Sequence, residues 1–401
     1  MDPIYRLADF LSRVLRVASH RFEAVVERRS QTVRLAPADR TRGRVVLFYL
    51  TDPWKYPEQR ERHYHTNRWE CATMADTFLE AGYAVDVVDY QAKHYRPPSD
   101  CVIAIDSEHS FGNFAAQLPA DCLKIYHAPT SHWLHWNPAE LRRLAAIRDR
   151  RGVALRPRRQ LPPNPGIEIA DLATYVGNRF TAETYTFAGK PMHRIPISTV
   201  AREDVFPSRD IDRIRQRFIW FGSVGLAHKG LDLALEAFAR MPDLELTVAG
   251  AISLDRDFVA AYDRELNHTP NIHNLGWIDV TAPSFQKLMR DHLGVVYPSC
   301  SEGGAGSVIC CMHSGVIPVV TYEASIDTEN FGILTGGDSV DDVIAGVRRL
   351  IDLPEADLLA RSRAAWEHVR RVHTRENFRA TYRRFARVEL KLALGPDTDR
   401  S

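Results

Sequence analysis

The chain has 401 residues, 45% of them apolar and 26% charged, with a formal net charge of +1. That length suits two globular domains, and the near-zero balance excludes a global field that would recruit nucleic acid. No apolar run approaches the roughly 20 residues that span a bilayer, and the N-terminus lacks the uninterrupted apolar core of a signal peptide, so a cytoplasmic protein is expected. Six cysteines, at 71, 101, 122, 300, 310 and 311, form no CxxC pair; they read as buried free thiols in a reducing compartment.

Residues 4–28 have a helical stripe of Leu7, Phe10, Leu11, Val14, Leu15, Ala18 and Phe22, with Arg6, Arg13 and Arg16 off it. This pattern fits a helix packed on its own domain or one lying on an anionic membrane surface. Arg44–Leu50 (RVVLFYL) is the first confident strand. A polar loop with Asp52 and the segment HYHTNRWE leads to a helix ending at Gly82. Strands follow at Val85–Tyr90, Cys101–Asp106, Cys122–His127, Ala170–Val176 and Met192–Ile197. Strands alternating with helices predict a doubly wound α/β layer, whose ligands sit beyond the carboxyl ends of the strands. Asp52, His109, His127 and His132 are therefore expected at ligand-facing loop ends.

Residues 142–159 hold Arg142, Arg143, Arg148, Arg150, Arg151, Arg156, Arg158 and Arg159. Arginine suits bidentate contact with an acidic acceptor or lipid phosphates, but a solvated face with scattered salt bridges fits as well. Leu161-Pro162-Pro163-Asn164-Pro165 is a rigid connector. Pro196–Arg209, with the charge run Arg202-Glu203-Asp204, reads as the interdomain linker. The expected division is a first domain over 1–205, joined by a C-terminal helix over 374–394, and a second over 206–373.

The second domain begins with a strand at Phe218–Phe221, a loop over Gly222–Gly230 and a helix over Leu231–Met241. Next come a strand at Leu244–Ala249, a helix capped by Asp255, a short strand at Ile272–Gly276 and a helix over Ala282–Asp291. An apolar run at Leu293–Val296 opens onto YPSCSEGGAGSVICCMHSGVIPVVT, Tyr297 to Thr321. That stretch reads as strand, glycine loop, helix, strand, a βαβ unit of a parallel sheet. Ile333-Leu334 is the last strand, helices run from about Val340 to Val372, and Thr374 starts a final helix with Phe378, Tyr382, Phe385 and Leu392 as its stripe. The tail from Gly395 to Ser401 is expected to be disordered.

Two elements favour anions. Gly303-Gly304-Ala305-Gly306 would let ligand oxygens approach backbone N–H groups at a helix start, beside the carboxylate of Glu302. Lys229, just before a helix, is placed to neutralise a phosphate that gains charge as a bond breaks. The two come from different loops of one domain and would open on an interdomain cleft, with His127, and His109 and His132 as lesser candidates, on the other wall.

FGSVGLAHKGLDLALEAF, LELTVAG, NIHNLGWID and VVYPSCSEGGAGSVICCMHSGVIPVV occur in an order that resembles the retaining glycosyltransferases of GT-B fold, the glycosyl transferases group 1. The resemblance covers about residues 216 to 372 and reaches the first half only loosely. It implies a GT-B architecture of two Rossmann-like domains facing a central cleft. It also implies transfer of a sugar from a nucleotide diphosphate-sugar to a glycan, lipid or small-molecule hydroxyl, as in cell-envelope or exopolysaccharide assembly. By this resemblance Lys229 would hold the diphosphate, Glu302 the sugar hydroxyls and the Gly304–Ser307 backbone the phosphates. The Trp277-Ile278 backbone would face the nucleobase and His127 the sugar and acceptor. Gly222, Ser223, Gly303, Ala305, Gly306 and Cys310 complete the expected donor-binding set. No cofactor or metal is expected: Asp255-Arg256-Asp257 and Asp210-Ile211-Asp212 spell DxD but lie by helix starts or the linker.

Three departures stand out. The family's second Glu, eight positions after the first, is Cys310 here. The Arg after the first glycine of the lysine loop is Ser223, and the first domain lacks a Gly-Gly loop after its first strand. They leave open a catalytically degenerate member that binds a nucleotide-sugar or glycan. A sugar-phosphate isomerase of the same fold is a further alternative. A dinucleotide oxidoreductase fits poorly, because the loop after Leu50 has no glycine.

Overall fold

The computed structural model describes residues 31–39, 41–56, 66–200 and 205–394. The expected helix over 4–28, the His63-Tyr64-His65 part of HYHTNRWE, Arg202-Glu203-Asp204 and the tail 395–401 lie outside these described residues.

The first lobe is built on a seven-stranded sheet of order β1-β3-β2-β4-β5-β6-β7. Its strands are β1 (Thr32–Leu35), β2 (Arg44–Tyr49), β3 (Ala84–Asp89), β4 (Cys101–Asp106), β5 (Leu123–Ala128), β6 (Leu172–Tyr175) and β7 (Met192–Arg194). All neighbours pair in parallel except β1, which runs antiparallel to β3. This edge strand is an addition to the expected set; four residues with a single fully apolar pair carry too little periodicity to stand out. The apolar runs VVLFY and VDVV are buried because helices cover both faces of a parallel sheet.

The second lobe is a six-stranded, wholly parallel sheet of order β10-β9-β8-β11-β12-β13. It comprises β8 (Arg217–Gly222), β9 (Glu245–Gly250), β10 (Ile272–Gly276), β11 (Gly294–Tyr297), β12 (Ile317–Val320) and β13 (Ile333–Leu334). From β8 the chain winds outward to β9 and β10, then returns to lay β11 on the other side. The order reverses between β8 and β11, so the loops after these two strands splay apart and open a crevice at the carboxyl ends.

Helix α1 (Asn67–Glu80) covers the first sheet. Helix α2 (Trp133–Arg151) starts in the first lobe, yet its Leu144 and Ile147 are buried in the core of the second. Helix α3 (Leu231–Ala239) and helix α4 (Gly306–Met312) follow β8 and β11. Helices α5 (Val340–Ile351) and α6 (Glu355–Val372) close the second lobe. Helix α7 (Arg375–Val388) is capped by Thr374, whose side chain accepts from Asn377 N–H. Phe378, Tyr382 and Phe385 of α7 pack with Trp69 and Phe78 of α1 in the first lobe's core. The two crossings meet side by side: Thr199 pairs with Thr374 in a parallel bridge, and Thr199 donates from N and Oγ1 to the His373 carbonyl.

Packing engages four of the eight arginines of the segment, as the salt-bridge reading allowed. Arg143 Nη1 lies 3.2 Å from Asp232 Oδ1, and Arg150 Nη2 lies 2.8 Å from Asp232 Oδ2. Arg151 pairs with Glu265 at 2.7 Å, and Arg158 with Asp255 and Asp257. These arginines fasten α2 and the following loop to the second lobe, so they are not free for an acidic acceptor or lipid phosphates. Asp255 does stand before the helix Arg256–Ala261, but its side chain makes no capping bond; it is turned to Arg158 instead. Among the described residues no helix is long and apolar enough to cross a membrane.

Candidate active site between the lobes

At the β8/β11 reversal the loop Ser223–Gly230 lies against the loop Pro298–Ala305. Gly230 makes this approach feasible: its φ is +73°, and a Cβ there would sit 2.2 Å from the Pro298 carbonyl oxygen. The contact brings Lys229 and Glu302 together. Lys229 Nζ donates to Glu302 Oε1 at 2.7 Å and to Tyr297 Oη at 2.9 Å, and Tyr297 Oη donates to the same carboxylate oxygen at 3.0 Å. Only 5% of Lys229 and 7% of Glu302 is exposed. Burial alone would raise the Glu302 pKa, but the Lys229 charge and then Arg159 carry it down to about 2. Burial pushes the Lys229 ammonium down, against the pull of Glu302. The two expected ligand contacts are thus partners of each other, a desolvated ion pair roofed by a tyrosine.

Three neighbours were not placed at this site by sequence, although Arg159 was among the arginines expected to meet an anion. His228 Nε2 lies 2.6 Å from the Ser301 carbonyl, which can only accept, so Nε2 carries the proton and Nδ1 is left buried without a partner. Burial holds this imidazole neutral, its pKa lowered to about 3. Its ring lies 4.3 Å from that of Trp136 on α2. Arg159 reaches in from the first lobe's return segment, with its guanidinium 5.1 Å from the centre of the Trp136 ring. Its buried Nε has no hydrogen-bond partner. Its stem fills the space beside Gly225, where a Cβ would stand 2.5 Å from Arg159 Cγ. Glu108, after β4, is pushed up to about 7 by burial and then by the Asp106 charge. A buried unpaired guanidinium nitrogen or a carboxyl raised by burial has no signature in one sequence, because each depends on how the chain packs around it.

The glycine turn does more than leave room for a ligand. A Cβ on Gly303 would stand 2.0 Å from the Pro129 carbonyl oxygen, and one on Gly304, at φ +120°, 3.4 Å from Gly177 Cα. The two lobes therefore touch backbone to backbone at this turn. Ser131 Oγ and Ser301 Oγ are 2.5 Å apart across the same seam, and Ser325 Oγ meets Thr181 Oγ1 at 2.7 Å and the Asn178 amide at 3.0 Å. Gly306 and Ser307 lie half-buried at the start of α4, where the first amides have no partner within the helix. Ala305 is buried beside them. The contrast is testable. Gly303→Ala should cost about 1–3 kcal/mol by overpacking the seam. Gly306→Ala, whose nearest neighbour would be Ile197 Cδ1 at 3.7 Å, should leave the urea midpoint unchanged.

The histidines divide. His127 is fully buried: its Nδ1 lies 2.7 Å from Thr174 Oγ1 on the adjacent strand, its Nε2 has no hydrogen-bond partner, and burial lowers its pKa to about 4. It ends a strand whose both faces are covered, so a position near a carboxyl end need not reach the crevice. His109 and His132 line a first-lobe pocket with Glu108, Trp133 and Tyr185. His132 is also the N-cap of α2, accepting from Leu134 N–H at 3.4 Å. Asp52, the remaining loop-end candidate, is held by Arg68 at 2.8 Å. In the second lobe Gly222 is buried against Trp220, Ser223 is exposed, and Cys310 is half-buried on α4. Trp277 is 64% exposed and Ile278 half-buried after β10. The DxD carboxylates are engaged elsewhere: Asp255 and Asp257 bind Arg158, and Asp210 caps the helix Ile211–Ile214.

Residues 215–352 match the family model described as Glycosyl transferases group 1. This second lobe is a glycosyl transferases group 1 domain. The whole two-lobed chain is similar in fold to the sucrose-phosphate synthase of Thermosynechococcus elongatus, at 13% identity and TM-score 0.54 over 88% of this chain and 100% of that one. It is likewise similar to Anabaena HepE in complex with UDP and glucose, at 11% identity and TM-score 0.52 over 88% of this chain and 100% of that one. The common architecture is the GT-B fold. S. aureus TarM, at 13% identity and TM-score 0.49, is matched over 70% of this chain, which spans only 54% of TarM. No curated protein matches the chain by sequence.

Proposed function

We propose that the chain is a retaining glycosyltransferase that moves a hexosyl group from a nucleotide diphosphate-sugar to a hydroxyl of a glycan or lipid-linked acceptor, in the cytoplasm and without a metal. The observation that carries this reading is the desolvated Lys229–Tyr297–Glu302 cluster at the strand-order reversal of a glycosyl transferases group 1 domain, with Arg159 beside it. A diphosphate leaving group gains negative charge as the glycosidic bond breaks, and pre-placed cations in a dry site stabilise that change most. Lys229 and Arg159 supply two positive charges from distant parts of the sequence. Arg159 thereby compensates for Ser223, which has no charge to offer. The departing diphosphate takes the acceptor proton on the face it leaves, which gives retention without a pair of catalytic carboxylates. In this reading the seam at Gly303 parts to admit donor and closes on it, and the pocket with His109 and His132 takes the acceptor.

The test is nucleoside diphosphate release from a panel of UDP-, GDP- and ADP-sugars, with the product's anomeric configuration read by NMR. One donor should turn over with retention, and Arg159→Ala should raise its KM about tenfold, the loss of one charge-assisted contact of roughly 1.5 kcal/mol. Inversion, or turnover indifferent to Arg159, removes the reading. Ser223 and Cys310 favour a second reading, a donor-binding protein without activity. Calorimetry that finds a binding isotherm for a donor the protein never consumes selects it.

A further inference from the structure

We propose that Asp327, His368 and His373 form a binding site for a single zinc ion at the hinge between the lobes. Each residue offers one ligand atom, and the three atoms lie within 4.8 Å of one another. The histidines are 4% and 3% exposed. Both ring nitrogens of His368 are buried without a hydrogen-bond partner. Its Nε2 is 3.5 Å from Asp327 Oδ2, too far for a good hydrogen bond. That is close to the ligand–ligand spacing around an ion with bonds of roughly 2.0–2.2 Å. The ring thus sits between two carboxylates in ion-pair range without a short hydrogen bond to either, which leaves room for an ion between His368 and Asp327.

The surroundings have the features of an outer ligand shell. His373 Nδ1 lies 2.9 Å from the Ile197 carbonyl, so Nδ1 carries the proton and Nε2 keeps a lone pair. On the far side of His368, Glu329 Oε1 is 3.3 Å from Nδ1. Arg194 Nη2, 2.6 Å from Asp327 Oδ2, is the donor that orients the ligating carboxylate. Two imidazoles and one carboxylate, with a fourth position for water, suit zinc better than calcium or magnesium. The place matters too. Asp327 and His368 belong to the second lobe, Arg194 to β7 of the first, and His373 is clamped to Thr199 where the crossings meet. An ion there pins the hinge and is independent of the sugar-transfer reading.

The experiment uses the full chain stripped with a chelator, then titrated with Zn²⁺ against a chromophoric competitor and, separately, with Co²⁺. One Zn²⁺ per chain is expected. The Co²⁺ spectrum should show d–d bands and no thiolate charge-transfer band, which separates this site from the six cysteines. His368→Gln and Asp327→Asn should each weaken Zn²⁺ at least tenfold, and Glu329→Gln should weaken it severalfold while leaving all three ligands in place. No saturable binding to the folded wild-type chain overturns the proposal, whatever the variants do. So do a thiolate band or affinity unchanged in His368→Gln.

Discussion

Lys229→Ala is expected to lower turnover about 10²–10³-fold, the usual loss when one group that stabilises transition-state charge is removed. The same change strands Glu302 in a buried site with only Tyr297 and Ser299 to bond it. Breaking a buried pair in this way costs about 3–5 kcal/mol, so a loss of activity could merely report unfolding. The double change Lys229→Met with Glu302→Leu separates the two effects. Replacing both charges by apolar side chains should return most of the stability while turnover stays lost. If the double variant is active, the cluster is structural and the site lies elsewhere. The pH dependence has a definite sign. With its folded pKa lowered to about 2, Glu302 contributes stability that is present above its unfolded pKa of 4.5 and is lost as pH falls through 2. Without Lys229, burial pushes the carboxyl upward instead, and protonation relieves the strain. The gap in unfolding midpoint between wild type and Lys229→Ala should therefore narrow from pH 7 to pH 5.

Arg143→Ala is the second large effect. The guanidinium is 2% exposed; it bonds Asp232 and donates to the Pro298 carbonyl at 3.1 Å, on the loop that leads to Glu302. Its loss should cost about 3 kcal/mol. The low end of the range applies because Arg150 still pairs with Asp232 at 2.8 Å. Arg142→Ala, one residue away and exposed, should change the urea midpoint by no more than about 0.5 kcal/mol equivalent. Equal effects at the two positions would mean that α2 is not fastened to the second lobe.

The strands were legible wherever an apolar run sat between turn residues, and with them the two α/β layers and the group 1 blocks of the second. Lys229 and Glu302 could be named because each sits in a short motif, a lysine just before a helix and a carboxylate beside a glycine turn, that the group 1 blocks set in order. What could not be read was which way a side chain turns. His127 ends its strand as expected but faces the interior, against Thr174. The arginines of 142–159 looked like a surface patch because their partners, from Asp232 to Glu265, are distant in sequence. The grouping of His368 with Asp327 and His373 was equally invisible, since it depends on a loop and two crossings converging.

Helix α2 has one further consequence. By chain order it belongs to the first lobe, but its guanidinium groups and Leu144 and Ile147 are rooted in the second. Any swing of the jaws that spares those roots must carry residues 133–159 along with the second lobe. The pivots then fall at the short stretches on either side of that segment, near Pro129 and the proline-rich connector, as well as at the Thr199–Thr374 bridge. The rigid bodies of the moving molecule would thus be drawn along different lines from the domains of the sequence, with Arg159 riding on the lobe it serves.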